Sequence, residues 1–248
     1  MANPRDEDRV ARERDFHNEL YASDGSRAEQ AKYYWAVGDG AAQYQRIYQD
    51  LARGKDVLEY GCGDSRSFVA LAPIVKSLKA IDVSDKVIQQ LESENVHDNV
   101  SLHVMDAMNL TFPDNSFDLV FGSGIIHHLD TELAAREVAR VLRRDGRAVF
   151  WEPLGLNPLI NTYRRLTPRA RTPDEHPLVP KDFATIAKYL NLIEVRPYGL
   201  STLAAVPMRN KKSGKSLFQL GRRVDEALFT LPGVRHLAWY AIVIGATK

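Results

Sequence analysis

Four groups of side chains able to do chemistry follow short apolar runs at regular intervals along the chain. The first is Glu59-Tyr60-Gly61-Cys62-Gly63-Asp64-Ser65, a carboxylate followed by two glycines two residues apart. Glycine there lets the backbone turn sharply and lets a ligand approach main-chain N–H groups closely. Asp82 comes about twenty residues later, where an acid typically accepts hydrogen bonds from ribose hydroxyls. Asp106 ends a third apolar run, and Ser123-Gly124-Ile125-Ile126-His127-His128 follows a fourth. An unperturbed imidazole titrates near neutrality, so His127 or His128 suits a general base. Adjacent histidines on an extended segment point to opposite sides, so only one of them is expected to face a reacting group. Together these residues describe a nucleotide-type ligand lying across the carboxyl ends of several strands, with a base at its edge.

The elements that must position them alternate between strand and helix. Asp56–Tyr60 is predicted as a first strand, with Ser65 as N-cap of the helix through Phe68-Val69-Ala70-Leu71, which Pro73 limits. Strands follow at 78–82, 100–105, 117–121 and 147–151, with helices from Ser84 to Ser93 and from Thr131 to Leu142 between them. Such alternation indicates a parallel sheet covered on both faces, whose strand ends converge on one crevice. Ahead of the sheet, residues 5–22 read as a weakly amphipathic helix, Ser23-Asp24-Gly25-Ser26 as a turn, and residues 27–37 and 43–51 as further helices. Tyr33-Tyr34-Trp35 either packs on the core or forms part of a lid over the ligand. Residues 154–180 break the pattern with prolines and with Arg164, Arg165, Arg169 and Arg171, and so long a break at a strand end suits a functional insertion. Residues 181–190 return to helix and 192–196 to strand, 207–215 are expected to be mobile, and a helix over 217–231 precedes a last strand over 237–245.

Composition excludes several classes of protein. Hydrophobic residues make up 44% and charged residues 26% of 248 positions, the balance of an ordinary globular protein with a sizeable core. The formal net charge of +1 argues against wholesale nucleic-acid binding. Cys62 is the only cysteine, so neither an internal disulfide nor a thiolate metal cluster can form, which suits the cytoplasm. No apolar stretch is long enough for a membrane span, and the charged N-terminus lacks a signal core.

Val57 to Ser65, Ala80 to Ser84, Met105-Asp106-Ala107 and Phe112 to Val120 resemble, in order, the motifs of class I S-adenosylmethionine-dependent methyltransferases, particularly the small-molecule type 11/25-like members. Ser65 stands where the family has a third glycine. The resemblance implies an α/β, Rossmann-like, doubly wound and mostly parallel seven-stranded sheet. To this it adds an N-terminal helical lid (1–52), a cofactor-binding core (53–152), an insertion after the fifth strand (153–180) and a C-terminal part of the sheet (181–248), all in one domain. It implies S-adenosylmethionine as cofactor. The Gly61-Cys62-Gly63 backbone and Ser65 would face its methionine portion, with Glu59 organising the loop or the ammonium group. Asp82 would hold the ribose hydroxyls, Val83 would pack on the adenine, Asp106 with Ala107 would meet the adenine amino group, and Ser123 and Gly124 would line the floor near the sulfonium.

Methyl transfer needs alignment, exclusion of water and, for a hydroxyl acceptor, removal of a proton. His127 and His128 are the candidates for that last role. Tyr33, Tyr34, Glu152, Arg164 and His176 are expected on the acceptor wall. Glu152 with His127 and His128 could alternatively ligate a metal, but adjacent histidines lack the i, i+4 face of a helical zinc site, and no metal is expected. The reading that results is a cytoplasmic monomer or homodimer methylating a small molecule, at oxygen, in a natural-product, sugar or lipid biosynthetic pathway. Nitrogen or carbon acceptors, RNA methylation, and a non-catalytic S-adenosylmethionine-binding protein remain as alternatives.

Overall fold

A computed structural model describes residues 4–22, 32–95, 97–167, 172 and 174–248. Its centre is a seven-stranded sheet in the order β3-β2-β1-β4-β5-β7-β6. The strands are β1 (Asp56–Tyr60), β2 (Ser77–Asp82), β3 (Val100–Val104), β4 (Phe117–Ser123), β5 (Leu142–Pro153), β6 (Leu190–Tyr198) and β7 (Tyr240–Thr247). Strands β1 to β5 run parallel, whereas β7 is antiparallel to both β5 and β6. The chain order reverses between β1 and β4, and that switch point opens the crevice at the carboxyl ends.

Both faces of the sheet are covered, and alternation along each strand decides which residue goes where. Val57, Leu78, Ala80, Leu119, Phe121, Val149 and Trp151 enter one core, and Leu58, Tyr60, Ile81, Val120, Ala148 and Phe150 enter the other. Successive strand residues point to opposite faces, so an unbroken apolar run is what a doubly covered strand needs. All five residues of β1 are buried. At its amino end, Asp56 accepts from Lys76 Nζ at 2.8 Å, Ser77 Oγ at 2.7 Å and Arg143 Nη1 at 2.8 Å. Arg143 Nη1 also donates to Asp118 at 2.9 Å, so one ionic cluster ties four parallel strands together.

The helices are α1 (Pro4–Ala22), α2 (Gly38–Ala52), α3 (Ser67–Leu71), α4 (Asp85–Glu94), α5 (Thr131–Val141), α6 (Pro158–Leu166), α7 (Pro180–Tyr189) and α8 (Lys212–Leu228). Ser84 caps α4 as expected, accepting from Val87 N at 3.2 Å. Asp130 caps α5 by accepting from Glu132 N and Leu133 N at 2.9 and 3.0 Å. Ser65 does not cap α3 directly. The helix starts later, with Arg66 at the N-cap, and Ser65 Oγ accepts from Ser67 N at 3.2 Å.

Several local expectations are corrected. The insertion is not wholly irregular, because Asn157 accepts from Ile160 N at 3.0 Å and Pro158 opens α6. Asn157 also donates to Leu237 O at 2.8 Å, which fastens the insertion to the segment before β7. Residues 207–215, expected to be mobile, join the 3-10 segment Ser201–Met208 to the start of α8, and Gly214 is buried where the two meet. A Cβ on Gly214 would lie 2.0 Å from Met208 O, so only glycine allows the two segments to meet. β4 runs on to Ser123, and β5 begins at Leu142 with a bulge opposite Phe117/Leu119. The expected turn at 23–26, the start of the helix over 27–37, and Arg169 and Arg171 lie outside the described residues.

α1 lies across the carboxyl ends of the strands. Asn18 accepts from Ser84 Oγ at 2.5 Å and donates to Asp85 at 3.0 Å, and Arg14 Nε donates to Val83 O at 3.3 Å. Near its other end, Arg9 Nε donates to His128 O at 2.9 Å, and Arg12 grips the Asp174 carboxylate at 2.8 and 3.0 Å. Among the described residues, no helix is long and apolar enough to cross a membrane.

Candidate functional site

The switch point between β1 and β4 opens into a cavity of about 600 Å³, roofed by α1 and walled by the insertion and β7. Every residue expected to meet the cofactor lines it: Glu59, Gly61, Cys62, Gly63, Ser65, Asp82, Val83, Asp106, Ala107, Ser123 and Gly124. The backbone explains the glycines. Gly61 has φ +71° and Gly63 φ +51°, in the left-handed region that side chains disfavour. A Cβ on Gly61 would also lie 2.7 Å from the Ile125 side chain.

Carboxylates hold the loops in place. Asp82 accepts from Gly63 N at 2.8 Å and Ser84 N at 2.9 Å, so the second strand's acid organises the glycine turn from across the crevice. Asp106 accepts from Met108 N at 2.8 Å. Glu59 accepts from the Ser67 hydroxyl and is enclosed, and burial pushes its carboxyl up to about 7 against the Ser67 and Ser65 hydrogen bonds. Burial likewise pushes the Cys62 thiol far up, so it lines the site as an inert neutral group. Carboxylate acceptors, turned backbone and an apolar floor fit a ligand carrying ribose hydroxyls, an exocyclic amine and an ammonium group.

His127 and His128 do not point to opposite sides, as they would on a strand. They sit in a 3-10 turn, Ile126–His128, both buried and both lining the cavity, with ring centroids 4.2 Å apart. His127 Nδ1 lies 2.8 Å from Glu152 Oε2, and Glu152 Oε1 accepts from Ile125 N and Ile126 N at 2.9 Å each. Glu152 is fully enclosed and burial pushes it up to about 7, against the donors at Ile126 and Ile125. Burial pushes the His128 imidazole down, and so does its neighbour His127, opposing Glu13.

Of the residues expected on an acceptor wall, only some line the cavity. Tyr33, Tyr34 and Arg164 line the cavity, and Arg164 Nη1 donates to Leu154 O and Asn161 Oδ1 at 3.1 Å each. Glu152 and His176, expected on the acceptor wall, are not among its lining residues. Glu152 is turned onto the 125–127 turn, and His176 packs near Thr131 Oγ1 at 3.5 Å and Asp174 O at 3.2 Å. The alternative metal trio of Glu152, His127 and His128 therefore does not assemble, because Glu152 is spent on backbone donors and His127.

Residues that the sequence reading missed supply much of the wall. Tyr34 stacks on Trp239 at 5.3 Å, Trp151 on Tyr240 at 4.8 Å, and Tyr33 meets Tyr163 at 4.9 Å. From α1 come Arg9, Glu13 and His17. Glu13 is 6% exposed, and its Oε1 accepts from Thr172 Oγ1 at 2.5 Å. Burial pushes its carboxyl up, but the facing His128 and His17 rings and Thr172 more than offset that and hold it below the ordinary range. The i, i+4 spacing of Glu13 and His17 was visible in the sequence, whereas their partner, more than a hundred residues away, was not.

Comparison with known proteins agrees with this geometry. The family described as "Methyltransferase domain" matches residues 58–150, from β1 into β5. Methyltransferase GfsG of Streptomyces halstedii is 36% identical over 110 residues, 42% of this chain and 39% of that protein. O-methyltransferase cnsE of Penicillium expansum is 29% identical over 144 residues, 56% of this chain and 51% of that protein. The chain thus spans about two fifths to a half of the length of these curated relatives. The crystal structure of the YcgJ protein from Bacillus subtilis superposes with a TM-score of 0.57 at 21% identity, covering 84% of this chain and 98% of that one, which establishes a common fold.

Proposed function

We propose that the chain, whose residues 58–150 match a methyltransferase domain, is a class I S-adenosylmethionine-dependent methyltransferase that methylates a small-molecule acceptor at oxygen. The observation that carries this reading is the single cavity in which the glycine turn, Asp82 and Asp106 share walls with a histidine held by a buried carboxylate. The bound cofactor supplies an electrophilic methyl carbon on its sulfonium.

The chain's own residues bind, orient and deprotonate. Asp82 retains acceptor capacity beyond its two backbone donors and takes the ribose hydroxyls. Asp106 takes the adenine amino group, and Glu59 with the Gly61-Cys62-Gly63 backbone takes the methionine portion. Tyr33, Tyr34, Trp239 and Tyr240 form an apolar, aromatic wall that aligns the acceptor and excludes water, which favours a small organic molecule over a polymer. Glu152 accepts from the Nδ1–H of His127, which fixes the tautomer and makes Nε2 the nitrogen that takes the acceptor's proton. The wider setting is a biosynthetic pathway in the cytoplasm. The similarity to a methyltransferase and to an O-methyltransferase supports methyl transfer to oxygen over a non-catalytic role.

Calorimetric titration with S-adenosylhomocysteine tests the cofactor assignment. Micromolar binding is expected, weakened by roughly 10- to 100-fold or more in Asp82→Ala, because a charge-assisted hydrogen bond contributes about 1.5–3 kcal/mol. A folded wild-type protein that binds neither donor nor product would sink the reading. With an acceptor identified, His127→Gln should lower kcat by roughly 10²- to 10⁴-fold at unchanged S-adenosylhomocysteine affinity. Normal turnover in that variant removes His127 as the base.

A further inference from the structure

We propose that Glu13, His17 and His128 form a binding site for one divalent transition-metal ion, zinc foremost, on the α1 side of the cavity. This departs from the sequence-based expectation of no metal. Glu13 and His17 stand one turn apart on α1 and so share a face. His128 reaches the same point from the turn after β4, and one ligand atom from each of the three lies within 4.8 Å of the others. Glu13 Oε2 is 3.2 Å from His128 Nδ1 and 3.5 Å from His17 Nε2. Metal–ligand bonds of about 2.0–2.2 Å in a tetrahedral site set neighbouring donors roughly 3.3 Å apart. The two separations from Glu13 Oε2 match edges of such a tetrahedron, and the third, between the two imidazoles, is within 4.8 Å.

These short contacts are ion pairs when the imidazoles are protonated, but they lack hydrogen-bond alignment. Glu13 Oε2 and His128 Nδ1 are enclosed and have no aligned hydrogen-bond partner among the described residues. Their side chains belong to residues only 6% and 7% exposed. Buried polar atoms are almost always paired, and an ion is one of the few reasons for an exception. The surroundings also orient the ligands. Thr172 Oγ1 donates to the other oxygen of Glu13 at 2.5 Å, and Arg9 Nε donates to His128 O at 2.9 Å. Supports of this kind are what a metal site needs outside its ligands.

Two imidazoles and one carboxylate suit zinc, iron or nickel better than magnesium, which prefers oxygen donors alone. Three protein ligands leave a fourth position, and all three residues line the cavity. A second grouping, His127, His128 and Glu175, is also compact and shares His128, so one ion takes one grouping or the other; Glu13 and His17 are favoured by the enclosed Glu13 Oε2 that faces His128. Metal binding stands independently of the methyl-transfer reading. On that reading, which this further step does require, the open position receives the acceptor oxygen and lowers its pKa.

The test uses the full chain with any affinity tag removed, stripped with chelator and reloaded with Zn²⁺ or Co²⁺. About one equivalent of metal should survive desalting. The cobalt form should show the visible d–d bands of a low-coordinate site. Glu13→Gln and His17→Asn should each weaken retention at least roughly 10- to 100-fold. S-adenosylhomocysteine titration and the melting curve report whether each variant is folded. Should α1 variants not fold, anomalous scattering at the zinc edge from wild-type crystals decides by position. A peak among Glu13, His17 and His128 supports the site. No retained metal, unchanged retention in folded variants, or a peak on His127, His128 and Glu175 overturns it. Metal binding without S-adenosylhomocysteine binding would instead count against the methyl-transfer reading alone.

Discussion

Glu59 and Glu152 are both carboxyls at strand ends pushed up to about 7 by burial, yet they face different partners. Glu59 is met by hydroxyls in the glycine loop, and Glu152 by backbone N–H groups and His127. A raised carboxyl favours folding when protonated. The stability linked to Glu59 is therefore full below its ordinary 4.5 and lost as pH rises through about 7. An ammonium group arriving beside Glu59 would favour the charged form and expel the proton. Calorimetry of S-adenosylhomocysteine binding near pH 7, in buffers of different ionisation enthalpy, should thus show net proton release. Glu59→Gln should abolish that release, and an identical release in the variant would rule Glu59 out as its source. The replacement should also flatten the loss of stability between pH 4.5 and about 7, read as urea midpoints.

At the scale of elements, the β1–α3 turn and the turn after β4 are built against each other. Gly61 combines φ +71° with the Ile125 side chain 2.7 Å from any Cβ, whereas Gly233 has φ +81° but open space around it. Left-handed backbone costs an ordinary residue about 1–3 kcal/mol wherever it occurs. Gly61→Ala should pay that strain and also displace Ile125, next to the backbone that Glu152 holds. Its S-adenosylhomocysteine affinity should fall by roughly 10-fold or more. Gly233→Ala should lower the melting temperature while leaving affinity unchanged. Equal affinities for the two variants would contradict a loop shaped by close approach. The helix inside the insertion illustrates a local signal outweighed by a louder one. Asn157-Pro158 is an N-cap followed by proline in the first turn, a legitimate helix start, but the prolines around it read as irregular chain.

Across the whole molecule, stability depends on the end of the sheet away from the cavity. Lys76 holds the Asp56 carboxyl well below its ordinary range, against partial burial and with help from Ser77 and Arg143. A depressed carboxyl contributes stability above its unfolded value of 3.8, and that contribution is lost as pH falls through the lower folded value. Wild-type protein should lose stability steeply below about pH 4, measured as urea midpoints. Asp56→Asn should be less stable at neutral pH by about 1–3 kcal/mol and have a shallower acid limb. A parallel shift with an unchanged acid limb would mean that Asp56 is not a principal acid-sensitive link.

The sequence by itself determined the alternation of strands and helices, the glycine turn, and the acids at the ends of β1 and β2 and just beyond β3. These depend on hydrophobic period and on backbone conformation within a few residues, which are local properties. Ser123 and Gly124 were legible for the same reason, as the continuation of a fourth apolar run. Only the tertiary structure decided that Glu152 turns away from the acceptor wall to hold His127. The same is true of the wall that Trp151, Trp239 and Tyr240 build, and of α1 carrying Glu13 and His17 to His128. Each of these contacts joins segments that the chain separates and the sheet brings together. No periodicity encodes which distant side chains meet, because that is set by how α1, the insertion and the last strand pack over one crevice.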